Sequence, residues 1–590
     1  MNAFRYTIQA QLLIVFISTC FAQPLVTDIF PTQHAIGFDR SGTISIRFDA
    51  AIDRQTVNRQ SFFVFGRWSG VMSGEFSFHD NDMEVRFTPA KRFSAGEYVQ
   101  VSLSRSIKDT GNQPLEFGFS WTFWAAANPG SIRVEEVKRI PVRNDGEGWI
   151  QTYGANAGDL NGDGYSDYMV PNERSNDVRV FLNDGNGSYS NFTTFSLPNA
   201  NRPSTNEGSD FNGDGFIDYA VGSTQNDAVH ILLGDGEGGF DSITRYAAGN
   251  GVRGLTIMDL DGNGFMDIVT SNRSANNLSL LFNNGDGTFQ SPIHMSGRGN
   301  QETGAAAADA NNDGIMDLFV GAYGSREMIL FLGDGNGGLN FSHKVSAGGN
   351  SWMIAVGDVD GDGNVDVVSA NADANNAAVI RGDGAGNLLP AKTYTTFSTF
   401  PLAIDLGDLD GDGDLDMLAS SFGQQEDGKW TLWENDGDGN FVTPQAYDAS
   451  IAASCAVFHD RDGDGDLDVT GIDEIDDLLI LYENSSTGGI VSLDPPIAEN
   501  FKLLPNYPNP FNPETRIEYI LPQNGNVTLK VFNSNGQFVK ALFQGERPPG
   551  HFYAVWDGSD SNGIPSASGI YYYRLAVDGF QESRKMILMK

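Results

Sequence analysis

Asp408-Leu409-Asp410-Gly411-Asp412-Gly413-Asp414-Leu415-Asp416 has an acidic residue at every odd place and glycine at places 4 and 6. Its frame is Asp at place 1, Asp or Asn at places 3 and 5, Gly at place 6 and Asp at place 9. That frame occurs seven times, starting at Asp159, Asp210, Asp259, Asp309, Asp358, Asp408 and Asp460. Successive starts lie 49 to 52 residues apart. A period this regular means one structural unit repeated.

Oxygens at places 1, 3 and 5 converge only if the backbone reverses between them, and glycine at place 6 supplies that turn. Side-chain oxygens from places 1, 3, 5 and 9, with the backbone carbonyl of place 7, would form the greater part of a six- or seven-oxygen shell. Such a shell suits calcium better than magnesium. The candidate ligands of the first copy are Asp159, Asn161, Asp163, Tyr165 and Asp167. The second has Asp210, Asn212, Asp214, Phe216 and Asp218, and the third Asp259, Asp261, Asn263, Phe265 and Asp267. The fourth has Asp309, Asn311, Asp313, Ile315 and Asp317, and the fifth Asp358, Asp360, Asp362, Asn364 and Asp366. The sixth offers Asp408, Asp410, Asp412, Asp414 and Asp416, and the seventh Asp460, Asp462, Asp464, Asp466 and Asp468. One isolated copy would read equally well as a solvated turn. Two carboxylates roughly 4 Å apart repel by about 1 kcal/mol in water and about 4 kcal/mol at a partly shielded site. Seven loops with three to five acids each therefore argue for up to seven calcium ions. Asn312 at place 4 and Arg461 at place 2 mark the fourth and seventh sites as the weakest, while places 2 and 4 otherwise vary harmlessly.

The net charge is −39, and 26 of the 76 acidic residues lie in these loops. Nucleic acid and anionic membrane surfaces are poor partners for such a chain. With 590 residues and 70 glycines it is long enough for several domains and too rich in turns to be helical. Arg5, the apolar stretch Leu12 to Ile17 and the small residue Ala22 read as a secretory signal over residues 1–22. Loss of Cys20 with that signal leaves Cys455 as the one thiol, so calcium rather than disulfides would secure the exported protein. No later stretch is long and apolar enough to span a membrane.

Residues 23–127 alternate apolar and polar in short runs, such as Thr43-Ile44-Ser45-Ile46-Arg47-Phe48, which argues a β-sandwich. From 130 to 486 each unit of about 50 residues holds four apolar runs. The acidic loop follows the first, and a hairpin signal such as Gly234-Asp235-Gly236 follows the third. The expectation is seven four-stranded antiparallel sheets in a seven-bladed β-propeller. The seventh unit lacks a fourth run, and an orphan run, Ile132 to Val137, precedes the first loop. Residues 131–140 are therefore expected to pair with Leu478 to Tyr482 and to remove an open edge. A polar, proline-bearing linker occupies 487–500, and residues 501–590 alternate again as strands. The fold class is all-β.

Three resemblances follow. The first segment, with Pro31, Phe87-Thr88-Pro89, Gly96-Glu97-Tyr98 and Asp109-Thr110-Gly111-Asn112, is similar to bacterial Ig-like domains, which implies a spacer or presentation role. The repeats, with Asn276-Asn277-Leu278-Ser279-Leu280 running to Gly285-Asp286-Gly287, resemble the FG-GAP and VCBS repeats, whose best-known relatives form the head of integrin α chains. The last segment opens on Tyr507-Pro508-Asn509-Pro510-Phe511-Asn512-Pro513 and ends on Arg584 to Lys590. It looks like the C-terminal sorting domain of type IX secretion substrates, which implies passage through an outer membrane to the cell surface or medium.

Catalysis needs an acid, base or nucleophile rising out of the repeat. The seven histidines are scattered, and no GxSxG, HExxH or paired cysteines occur. The reading is a secreted, non-enzymatic, calcium-binding adhesion or recognition protein for a protein or carbohydrate ligand. A polysaccharide lyase or hydrolase on the same scaffold is the alternative. Trp352, Trp430 and Trp433 either pack between blades or line a binding face.

Overall fold

The structure is a computed structural model. It describes residues 23–484 and 501–589, except 505, 507, 508, 510, 512, 514, 522–524, 535, 548, 549, 557, 562, 563, 578 and 579. The expected signal at 1–22, the expected linker at 487–500 and four residues of the YPNPFNP opening lie outside the described residues. The described residues form strands with no α-helix, and no helix among them is long and apolar enough to cross a membrane. The chain divides into two compact units, 1–487 and 488–590.

The first unit begins with two packed four-stranded sheets between Val26 and Trp124. Ile44, Ile46 and Phe48 point inward while Ser45 and Arg47 are half-exposed, so the period-two pattern places one face in the core. Trp121, Phe62, Phe93 and Phe123 fill the space between the sheets. Fully burying such a side chain contributes about 1.5–3 kcal/mol.

Seven four-stranded antiparallel sheets follow as blades. In the second blade the strands are Pro203–Ser209, Asp218–Ser223, Ala228–Gly234 and Phe240–Ala247, each paired with the next. Every residue of Asp218–Ser223 is buried, because neighbouring blades cover both of its faces; the outer strand is mostly exposed. The first strand of each blade packs against the first strand of the next, and Ala453–His459 of the seventh meets Asn156–Gly158 of the first.

Glu135–Pro141 is the fourth strand of the seventh blade, with Leu478 opposite Pro141 and Glu483 opposite Glu135. The partner is the expected one, but the strand starts three residues later than the apolar run suggests. Side chains take the earlier backbone donors: the Ser131 N–H bonds Asn484 Oδ1 at 2.8 Å and the Val134 N–H bonds the Tyr447 hydroxyl at 3.1 Å. Trp430 and Trp433 are buried in the cores between late blades. Trp352 stands instead with Tyr153, Tyr323, Phe400 and Phe422.

Every acidic loop joins the first and second strands of its blade, so all seven lie on one face, and the turns between second and third strands lie on the other. The sandwich is seated on the loop face, not held away as a spacer. The Asp159 N–H donates to the Trp68 carbonyl (2.8 Å), Arg105 N–H to Gly262 (2.9 Å), Ser120 N–H to Gly314 (2.7 Å) and Asn128 N–H to Gly465 (2.7 Å). Place 4 consequently does more than turn the chain. A Cβ on Gly262 would lie 2.7 Å from the Gly118 nitrogen, and one on Gly411 would lie 2.3 Å from the Asn128 carbonyl oxygen.

The second unit has a three-stranded sheet and a four-stranded sheet, the latter ordered Phe538–Arg547, Gly525–Asn533, Gly569–Val577, Phe580–Leu588. Val527, Leu529 and Val531 alternate into a core with Tyr573 and Trp556.

Candidate metal centres

The backbone of each loop is drawn around the place-1 aspartate. The N–H of the place-6 glycine donates to that carboxylate in six loops, from 2.7 Å at Asp309 to 3.2 Å at Asp408. Those glycines have φ between 81° and 99°, as does Gly465 of the seventh loop, a region closed to most side chains. Asn312 keeps the fourth loop in the same shape. Its φ is 59°, in the left-handed region that asparagine tolerates.

Places 3 and 5 form successive Asx turns. In the first loop the Asp163 N–H bonds Asn161 Oδ1 at 3.0 Å and the Tyr165 N–H bonds Asp163 Oδ1 at 2.9 Å. Phe216, Phe265, Ile315, Asn364, Asp414 and Asp466 at place 7 repeat the second bond. Carboxylate oxygens of Asp259, Asp261 and Asp267 lie within 4.8 Å of one another, as do those of Asp358, Asp360 and Asp366. The same holds for Asp408, Asp410 and Asp412, and for Asp460, Asp462 and Asp464. Loops one, two and four carry Asn at place 3. There the amides of Asn161, Asn212 and Asn311 donate to the place-5 carboxylates at 3.0, 2.7 and 2.9 Å.

The place-9 aspartates are braces as well as candidate ligands. Asp317 accepts the Ala310 N–H at 2.8 Å with one oxygen and the Gly333 N–H at 2.8 Å with the other. Asp167, Asp218, Asp267, Asp366, Asp416 and Asp468 make the same pair of bonds, and all seven are buried. Each thereby ties the start of its loop to the end of the blade's third strand.

Burial, reinforced by neighbouring carboxylates, raises these acids. Asp218, Asp317 and Asp366 reach about 8, Asp167 about 7, and Asp210, Asp309, Asp358 and Asp460 about 6. The place-9 carboxyls at about 7 to 8 hold protons near neutral pH unless a cation replaces them. Buried oxygens of Asp159, Asp408, Asp414 and Asp466 have no hydrogen-bond donor. An all-oxygen donor set with orphaned carboxylate oxygens fits a hard divalent cation such as calcium.

The seventh loop differs. Arg461 pairs with Glu483 and with Asp468 at 3.6 Å, and its Nη1 donates to the Gly187 carbonyl of the first blade at 2.6 Å. Asp462, Asp468 and Glu483 make a second carboxylate group there. Glu483 lies outside the nine-residue frame, so spacing alone does not find it. Two cations from the sandwich also reach place-1 aspartates: Lys91 stands 3.2 Å from Asp159 and Arg40 stands 3.8 Å from Asp460.

Behind the loops the first strands enclose a cavity of about 270 Å³, floored by Phe65, Arg67 and Trp124 of the sandwich. Arg67 Nη1 bonds Asp405 Oδ1 at 2.9 Å. Glu207 projects into this cavity, open to a water molecule yet enclosed by protein, and burial raises it to about 7 against the pull of Arg67.

Comparison with known families matches an FG-GAP-like repeat five times, at residues 159–221, 210–270, 259–320, 317–369 and 358–419. A bacterial Ig-like domain matches residues 22–124, and a FlgD Ig-like domain matches 513–579. No curated protein matches the chain. Among solved structures it is similar to a functionally unknown protein from Desulfotomaculum acetoxidans DSM 771. The identity is 12% over 65% of this chain and 96% of the other, with a TM-score of 0.35. The chain thus carries FG-GAP-like repeats between an N-terminal bacterial Ig-like domain and a C-terminal FlgD-type Ig-like domain.

Proposed function

We propose that this is a secreted, calcium-binding β-propeller acting in adhesion or recognition at the cell surface, with a protein or glycan ligand. FG-GAP-like repeats suit an extracellular recognition protein. The observation that carries the reading is the segregation of the two faces. The acidic loops and the sandwich share one face, so the sandwich does not cover the turns of the other, where a ligand could be met. Calcium would fix the loop-face turns, and its binding energy would become folding energy. Export by type IX secretion through the C-terminal unit completes the proposal. It rests on the resemblance of residues 501–590 to sorting domains.

The experiment is thermal unfolding of the secreted protein with excess calcium and with chelator, beside calorimetric titration of the calcium-free form. A large upward shift with several sites per chain is expected; identical melting in both conditions would overturn the calcium reading. Deletion of 501–590 should abolish surface delivery in a host with that secretion route.

One observation favours the alternative of a polysaccharide-active enzyme. Glu474 and Glu173 lie close together on the free face, and burial, with Glu173 adding to it, raises Glu474 to about 8. A carboxyl that keeps its proton at neutral pH beside a second acid can serve as a general acid. Depolymerisation of acidic and neutral polysaccharides that is lost in Glu474→Gln would establish this reading in place of pure recognition.

A further inference from the structure

On the free face the Trp352 indole N–H donates to the Tyr153 hydroxyl at 3.0 Å, joining the fifth blade to the approach to the first. Two guanidiniums stand against the same indole, with Arg253 Cζ 4.9 Å and Arg273 Cζ 5.0 Å from its ring centre. Arg253 also lies 5.5 Å over Tyr153, and Arg273 lies 4.8 Å over Tyr323. Ring faces attract each cation and so hold two like charges close together.

In a chain of net charge −39, other enclosed arginines are matched by acids. Arg67 has Asp405, Arg179 has Glu147 and Asp177, and Arg461 has Asp468 and Glu483. Arg253 has only Glu173 at 3.8 Å, and Glu173 also serves Arg202 at 3.3 Å. Among the described residues no carboxylate pairs with Arg273; Asp373, on the fifth blade's turn, takes the Tyr323 hydroxyl at 2.7 Å. Burial and the Arg253 charge press the Arg273 guanidinium below its ordinary value. Arg273 Nε is buried with no acceptor, and Arg253 Nη1 faces Glu173 Oε1 as an ion pair too long for a hydrogen bond. Beside them Glu173 Oε1 and Gln151 Oε1 are buried with no donor, and Glu474 Oε2 is buried with no hydrogen-bond partner. Unmatched donors on cations and unmatched acceptors on the adjoining wall are complementary to a ligand that carries both an anion and hydroxyls.

We propose that Arg253 and Arg273 receive the carboxylate of an acidic sugar residue, whose hydroxyls bond Glu173, Glu474 and Gln151. This rests on the recognition reading above and names its ligand class. A planar guanidinium binds a carboxylate in a two-pronged fork. A single charge on an otherwise neutral glycan suits the site better than a polyanion. The protein's negative field is screened only beyond roughly 10 Å at 0.1 M salt and would repel a run of charges. An acidic peptide would satisfy the arginines but offers the wall spaced backbone N–H groups in place of a ring of adjacent hydroxyls.

The test is calorimetric titration of the calcium-loaded full chain with D-glucuronate, D-glucose and N-acetyl-aspartate. Glucuronate should bind, with glucose at least about tenfold weaker. Arg273→Gln should lose about tenfold or more in glucuronate affinity, and Arg253→Lys should also weaken it by breaking the fork while keeping the charge. Arg174→Gln alters an exposed arginine of the first-blade turn, 4.5 Å over Trp149, and should leave binding unchanged. Melting curves confirm that each variant is folded. No glucuronate binding at millimolar concentration, or an equal loss in Arg174→Gln, would overturn the site. Tighter binding of N-acetyl-aspartate would overturn the sugar assignment in favour of an acidic peptide. The calcium-dependent melting is independent of these arginines, so its survival alongside failed titrations would remove this site and leave the proposed function standing.

Discussion

The Lys91 ammonium of the sandwich lies 3.2 Å from the carboxylate of Asp159, the first residue of the first acidic loop. A cation bound in that loop would share the carboxylate with a fixed positive charge, so the sandwich and the metal compete at this point.

Replacing Lys91 with Met should therefore strengthen calcium binding at the first loop. The lysine is 43% exposed, and exposed ion pairs contribute at most about 1 kcal/mol, so the gain should not exceed about fivefold. Calorimetric calcium titration of the variant checks this; unchanged or weaker binding would show that the ammonium does not compete.

Places 5 and 9 of one loop should behave differently. Asp317→Ala leaves the Ala310 and Gly333 N–H groups unpaired in a buried site, at about 1–3 kcal/mol each, with or without calcium. Asp313 is exposed and accepts only the Ile315 N–H and the Asn311 amide, so Asp313→Ala should cost clearly more stability in calcium than in chelator. Denaturant unfolding of both variants in calcium and in chelator separates a brace from a ligand. Equal losses in both media for Asp313→Ala would refute the assignment.

The strand that completes the seventh blade is held by one buried side chain. Ile140→Ala should cost about 2–5 kcal/mol, whereas Lys138→Ala, exposed on the same strand, should stay within about 0.5 kcal/mol. The urea midpoint of the first unit is the measurement. Matching small effects would mean that Glu135–Pro141 contributes little to closing the seventh blade.

Glu474 makes the stability of the first unit depend on pH. The folded state keeps its proton to about pH 8, whereas an unperturbed glutamate, as in the unfolded chain, releases it near 4.5. Folding therefore loses stability as pH rises from about 4.5 to about 8. Glu474→Gln removes that loss, so at saturating calcium its melting temperature should gain on the native protein between pH 5.5 and 8.5. A constant difference across that range would show that Glu474 does not hold its proton.

The acidic frame, its period and the hairpin signals were legible because each depends on residues within a few places of one another. The all-β class followed from the alternation of Ile44, Ile46 and Phe48 and from the apolar second strands. The partner of Glu135–Pro141 was legible from a missing fourth run, but its start was not, because Asn484 and Tyr447 capture the donors of Ser131 and Val134. The double role of Asp317 was hidden for a similar reason: one of its donors, Gly333, arrives by strand pairing.

Local chemistry in the sequence determined that this chain repeats one four-stranded unit seven times, each with an acidic, glycine-bearing loop after its first strand. Only the tertiary structure decided that the sandwich sits on those loops, that Gly262 and Gly411 admit its backbone, and that Arg253 and Arg273 share the ring of Trp352. The physical reason is range. Turn geometry and alternation act between neighbours along the chain, whereas docking and charge matching depend on which distant segments the packed sheets bring within a few ångströms.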